Sequence, residues 1–171
     1  ADPSREGYTF TGWDKSFDNV TESITVTAQY EINKYTVTFV DHDGTVVDEQ
    51  IVEHGANAVA PADPVWEGHE FAGWEGSYVN VTEDRTITAR YDTIMVGVTF
   101  VDYDGRVISS QSVEYGTAAI APADPVRVGY TFIGWDVAFD NVTEDTTVTA
   151  LYKINEYTVT WIVDGTTTTE T

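Results

Sequence analysis

A mainly-β protein built from small tandem units is the architecture this sequence predicts, and three observations predict it. Apolar side chains alternate with threonine over short runs, as at Tyr35, Val37 and Phe39, the period of a strand with one buried face. Asp-Gly pairs at Asp43-Gly44 and Asp104-Gly105 supply the left-handed dihedrals of hairpin turns. The whole pattern also returns at a step of 61 residues, the mark of a repeat architecture.

The repeat divides the chain. Gly7, Phe10, Gly12 and Trp13 recur as Gly68, Phe71, Gly73 and Trp74 and again as Gly129, Phe132, Gly134 and Trp135. Tyr30, Tyr91 and Tyr152 keep the same step, as do Asn19-Val20-Thr21, Asn80-Val81-Thr82 and Asn141-Val142-Thr143. Two complete units are expected at 35–91 and 96–152, and they agree at 32 of 57 aligned positions. Residues 1–30 read as the second half of a unit, and residues 157–171 as the start of a further, divergent one. Connectors such as Glu31-Ile32-Asn33-Lys34 contain no Gly, Pro or Ser, so they are not flexible linkers.

Within 35–91 the elements follow in order. Residues 35–39 alternate as a strand, Asp43-Gly44 turns the chain, and 46–53 is β-prone with an ambiguous burial face. Residues 56–67 are alanine-rich but interrupted by Pro61 and Pro64, which limits them to a short helical segment or 3₁₀ turn. Residues 71–79 form a third strand bearing Trp74, 80–84 a turn, and 86–91 a closing strand. A unit of this size buries only about 60% of its unfolded surface, so a few large rings must fill its core. Phe39, Phe71, Trp74 and Tyr91 are the expected core, with Phe100, Phe132, Trp135 and Tyr152 as copies, each worth roughly 2–3 kcal/mol when buried.

Composition excludes several functions. The 171 residues contain 29 Asp and Glu against 8 Lys and Arg, a net charge of −21. Such a polyanion repels phosphate and anionic lipid, which argues against nucleic-acid partners and membrane-surface binding. No apolar run approaches the roughly 18 residues of a membrane span, so no membrane insertion is expected. With no cysteine, disulfides, thiolate metal sites and cysteine nucleophiles are excluded.

The ordered set Tyr35-Thr36-Val37-Thr38-Phe39, Asp43-Gly44, Phe71-Ala72-Gly73-Trp74, Asn80-Val81-Thr82 and Ala89-Arg90-Tyr91 resembles the Listeria–Bacteroides repeat, the B-repeat family of internalin. The resemblance implies a compact β-grasp, ubiquitin-like module used in tandem on bacterial surface proteins. It carries no catalytic residues to transfer. Trp161-Ile162-Val163-Asp164-Gly165 departs from the pattern.

The candidate chemistry is sparse. His42, His54 and His69 all lie in one unit and become Tyr103, Tyr115 and Tyr130 in the next, so no proton-transfer or zinc function is shared by the copies. Asp41-His42-Asp43-Gly44 opens like a calcium loop, but Val52 stands at the twelfth position, where a bidentate glutamate is needed. No cofactor is then expected, and at most weak surface calcium binding. The Asn-Val-Thr triplets fit turn hydrogen bonding. Lys15, Lys34 and Lys153 lie outside both complete units, which excludes an internal lysine isopeptide bond there. Trp66, in the turn after Pro64, is the candidate ligand contact, a platform on which a sugar ring would stack. Its counterpart is Arg127.

The expected whole is a non-enzymatic, cell-wall-anchored extracellular region of a bacterial surface protein, its units arranged as an elongated rod. Its role would be stalk or spacer, and the competing reading is an adhesin that binds a host protein or glycan. Neighbouring repeats are the expected partners. Head-to-tail or swapped self-association through 1–30 and 157–171 is also expected, because in a β-grasp the first and last strands lie side by side.

Overall fold

The computed structural model describes residues 2–170. Among them the chain forms strands and no helix, divided into two compact units that meet between Asp92 and Thr93. In the first unit, β1 (Tyr8–Trp13) pairs antiparallel with β2 (Ala28–Ile32). Then β3 (Lys34–Val40), β4 (Val46–Glu53), β5 (His69–Glu75) and β6 (Arg85–Thr93) form a sheet of order β4-β3-β6-β5. In the second unit, β7 (Met95–Val101), β8 (Val107–Glu114), β9 (Tyr130–Trp135) and β10 (Thr146–Ile154) give the order β8-β7-β10-β9. The hairpin β11 (Val159–Val163) and β12 (Thr166–Glu170) follows.

First and last strands of each complete repeat are central and parallel. Phe39 lies opposite Ile87 in the β3–β6 ladder, and Phe100 opposite Val148 in β7–β10. This is the strand order of a β-grasp. Parallel neighbours need a long crossover between them, and here the crossover includes the hairpin partner and the third strand.

The segment expected to hold a short helical turn is extended instead. Residues preceding proline are driven out of the helical region, which affects Ala60 and Asp63 directly. The amide of Gln50 then acts as a surrogate strand partner, donating to Val59 O (2.6 Å) and accepting from Val59 N (2.9 Å). Gln111 makes the same pair of bonds with Ile120. Ala58 N donates to Tyr78 O and Val81 N to Ala56 O, so backbone groups a helix would have paired internally are paired across the fold.

Two boundaries also differ from expectation. The third strand ends at Glu75 rather than at 79, because 76–84 turns to return Val81 to the core, where it is fully buried. The connectors shrink to single residues, Asn33 between β2 and β3 and Ile94 between β6 and β7. The face of β4 is settled as well: Gln50 and Val52 turn inward, and Ile51 is 71% exposed.

Each complete repeat has its own small core. Val37, Phe39, Ala58, Val81 and Ile87 form one, backed by Trp74 and Tyr78. Val96, Val98, Phe100, Ala119, Val142 and Val148 form the other, backed by Trp135 and Phe139. The two tryptophans sit in like surroundings: Trp74 meets Phe39 edge-on at 5.0 Å, and Trp135 meets Phe100 at 4.9 Å.

Candidate functional site

The aromatic signature residues form a continuous ladder of rings across each repeat. A bulge creates it. In β9–β10 the register steps from Phe132 opposite Tyr152 to Gly134 opposite Leu151, and in β1–β2 from Phe10 to Gly12. One extra residue in the strand brings residues three apart onto one face. Gly12, Gly73 and Gly134 take φ of 138°, 124° and 126° at this point, which explains the glycine of the Phe-x-Gly-Trp element. Phe10–Trp13, Phe71–Trp74 and Phe132–Trp135 then meet edge-on at 5.5, 5.5 and 5.3 Å.

The ladder continues through Tyr91 and Tyr152, which lie 5.8 and 5.9 Å from Phe71 and Phe132. Each tyrosine hydroxyl donates to an aspartate on the first hairpin turn, Tyr91 to Asp41 Oδ1 and Tyr152 to Asp102 Oδ1, both at 2.7 Å. Burial and the neighbouring carboxylate push both phenols up to about 12, while the tyrosine bond holds Asp41 and Asp102 below the usual carboxylate range against the opposing effect of burial. At neutral pH the phenol is therefore a pure donor and the carboxylate a pure acceptor, an anchor rather than an acid–base pair. The spacing is 50 residues in both repeats. The sequence marks the tyrosines by their repeat step and Asp41 as the opening of a calcium-like loop, but not the bond that joins them.

At its outer end each ladder closes in a stack, and the chemistry of the stack changes between repeats. Trp66 lies between His42 and His69, parallel to both, with centroid distances of 3.8 and 3.5 Å. In the next repeat Arg127 lies between Tyr103 (3.6 Å) and Tyr130 (3.7 Å). Arg5 covers Tyr8 at 3.8 Å in the half-repeat. A ring between rings and a guanidinium between rings exploit the same flat slot, the second by cation–π attraction. Both faces of Trp66 are thus occupied, which removes the open platform expected of a sugar-stacking residue.

The remaining candidates separate. His54 lies apart from the stack, tilted against Tyr35 at 5.9 Å, so the three histidines do not converge. The ligand atoms of Asp41, His42 and Asp43 lie within 4.8 Å of one another, but Asp41 Oδ1 accepts from Tyr91 and the His42 amide, and Asp43 Oδ1 accepts from Thr45 N. These carboxylates serve the hairpin turn, and the Thr45 amide holds Asp43 below its ordinary value. In the Asn-Val-Thr triplets of the two complete repeats the valine is the core residue: Val81 is 0% and Val142 3% exposed. Asn19 and Asn80 take the left-handed backbone of the turn, at φ 56° and 48°, which asparagine tolerates better than most residues.

Comparison with known proteins agrees with this repeating geometry. The model of the Listeria-Bacteroides repeat domain matches residues 1–34, 35–95 and 96–156. Two proteins of Evansella cellulosilytica, named as a membrane protein and a Gly-rich membrane protein, are 32% and 30% identical over 92% and 94% of this chain. Internalin H of Listeria monocytogenes is 37% identical over 42% of it. The matches cover 28%, 22% and 15% of those three proteins, so the chain spans less than a third of their length. Among solved structures, domains 3–4 of the streptococcal high identity repeats in tandem from a cell surface protein align over 71% of this chain and 98% of theirs, at a TM-score of 0.34 and 13% identity. No helix among the described residues is long and apolar enough to cross a membrane. With three successive spans accounting for most of its length, this chain belongs to the Listeria-Bacteroides repeat domain family.

Proposed function

We propose that this chain is a non-catalytic spacer region of a bacterial surface protein, held on the outer side of the cell wall, whose repeats carry other domains away from the cell. The observation that carries the reading is where the two complete repeats differ. Residues 48, 49 and 51 lie on β4 and 76–79 follow β5, and these strands are the opposite edges of one sheet, about 14 Å apart at three strand spacings. Another difference, Trp66 against Arg127, keeps the same stacked arrangement with different chemistry. An adhesive surface would concentrate its differences in one patch, whereas here they are dispersed and the ring ladder is kept. The names of the relatives, membrane proteins and an internalin, support the surface location.

The test is an exchange in the full-length parent. Replacing both complete repeats by unrelated repeat domains of equal length should leave its binding to cells and glycans unchanged. Loss of that binding on exchange, or capture of a glycan or host protein by the isolated second repeat, would make the adhesin reading the correct one.

A further inference from the structure

Chain connectivity and strand pairing together decide how a complete repeat meets tension. The chain passes from β2 through Asn33 into β3 and leaves β6 through Ile94 into β7. A pull along the backbone therefore enters the repeat 35–91 on its first strand and leaves on its last. In the sheet of order β4-β3-β6-β5 those two strands are the central neighbours, and they run parallel. The start of β3 and the end of β6 accordingly lie at opposite ends of the sheet, so tension slides one strand along the other. The second complete repeat is built the same way, with β7 and β10 central and parallel.

Direction decides how many bonds resist. A pull across a ladder opens its rungs one after another, whereas a pull along it strains every rung at once. Val37, Thr38, Phe39 and Val40 stand in register with Arg85, Thr86, Ile87 and Thr88, and Val98, Thr99, Phe100 and Val101 with Thr146, Thr147, Val148 and Thr149. Val37, Phe39, Ile87, Val98, Phe100 and Val148 are all buried to within 1%, so on that face no water stands ready to replace a strained bond. The outer strands β4 and β5 flank the pair, which leaves neither strained strand at an edge.

Side chains fasten the same pair at both ends. Where β6 begins, Asp84 Oδ1 accepts from Thr36 N at 2.8 Å, and near its far end Tyr91 donates to Asp41 Oδ1 at 2.7 Å. Asp145 with Gly97 N, and Tyr152 with Asp102, repeat the two bonds at 2.7 Å each. Thr36 becomes Gly97 without loss, because the donor is the backbone amide. Each of these bonds joins the opening strand or its turn to the closing strand or the residue before it, so each lengthens when the strands slide.

We propose that each complete repeat is a tension clamp, in which the parallel first and last strands, fastened at both ends by these aspartate bonds, resist a pull along the chain. The role rests on the spacer reading, under which tension reaches a repeat through the connectors on either side. The resistance belongs to a single repeat and is measured without the parent protein, so failure of the clamp and failure of the spacer reading are told apart.

The experiment is single-molecule force spectroscopy of the 171-residue chain, whose lack of cysteine lets introduced thiols set the axis of pull. Lys34→Cys with Thr93→Cys loads the β3–β6 pair in shear, and Lys34→Cys with Glu83→Cys peels it from the end where β6 begins. All three positions are exposed, and complete unfolding releases roughly 200 and 165 Å of chain respectively. Forced unfolding reads the unfolding rate, so at equal force peeling should proceed roughly tenfold to a hundredfold faster than shear in the same repeat. Tyr91→Phe should speed unfolding in shear roughly tenfold and change peeling by less than about twofold, because its bond lies at the far end from the peel. Equal rates on the two axes, or an effect of Tyr91→Phe of the same size on both, overturns the proposal.

Discussion

Tyr91 ties the last strand of its repeat to the first hairpin turn through a single hydroxyl bond to Asp41. Tyr91→Phe should therefore lower the stability of that repeat by roughly 1–2 kcal/mol, the range of a partly exposed hydrogen bond to a charged group, measurable by thermal unfolding. The pH dependence follows from the directions of the shifts. The phenol is raised from 10 to about 12, so its contribution is present below pH 10 and is lost as pH climbs through 12. The Asp41 carboxylate is lowered from 3.8, so its contribution is present above that value and is lost as pH falls through the lowered one. Melting temperature against pH should show both limbs, and Tyr91→Phe should flatten the alkaline one. Gly73 poses a different demand. A Cβ there would meet nothing within 4 Å, but φ is 124°, so Gly73→Ala should cost about 1–2 kcal/mol from backbone strain alone. Gly76→Ala should cost more, since its Cβ would also press on Ile87 Cδ1 at 2.8 Å. Comparing the two melts separates dihedral strain from crowding.

Among elements, the extended crossover at 56–67 depends most on a single side chain outside it. Gln50→Ala removes both bonds to Val59 and leaves two backbone groups of the crossover without their partner. Hydrogen exchange at the Val59 amide should accelerate well before the β3–β6 amides respond, with an overall loss of about 1 kcal/mol. Equal protection in the variant would show that the proline-imposed geometry alone holds the segment. The single-residue connectors are pinned in a related way. Asn33 N donates to Gly7 O, Asn33 O accepts from His54 N, and Thr9 Oγ1 donates to Asn33 Oδ1 at 2.6 Å. Asn155 repeats the contacts with Gly129 and Thr131. Glu70 and Ile94 occupy the corresponding positions in between.

For the molecule as a whole, charge is the dominant non-specific term. Ion pairs such as Arg90–Glu75 and Arg106–Asp102 stand against a net charge of −21, so self-repulsion is largely uncompensated. Melting temperature should rise between low and physiological ionic strength as screening shortens the reach of that repulsion to about 8 Å, and a fall would mean that the few ion pairs outweigh it. The sequence by itself determined the repeat step, the hairpins at Asp43-Gly44 and Asp104-Gly105, and the Phe39–Trp74 and Phe100–Trp135 pairs. Those features depend on local alternation, turn dihedrals and self-similarity, which are written along the chain. Phe71, Tyr91, Phe132 and Tyr152, expected in the core, lie outside the two buried clusters, where Tyr78 and Phe139 pack instead. Tertiary structure alone decided the extended crossover, the bonds from Tyr91 and Tyr152 to aspartates 50 residues away, and the enclosure of Trp66 between two imidazoles. Each of these depends on which distant groups the parallel strand pairing brings together. Local propensity cannot specify such pairings, because their free energy exists only once the chain has closed on itself.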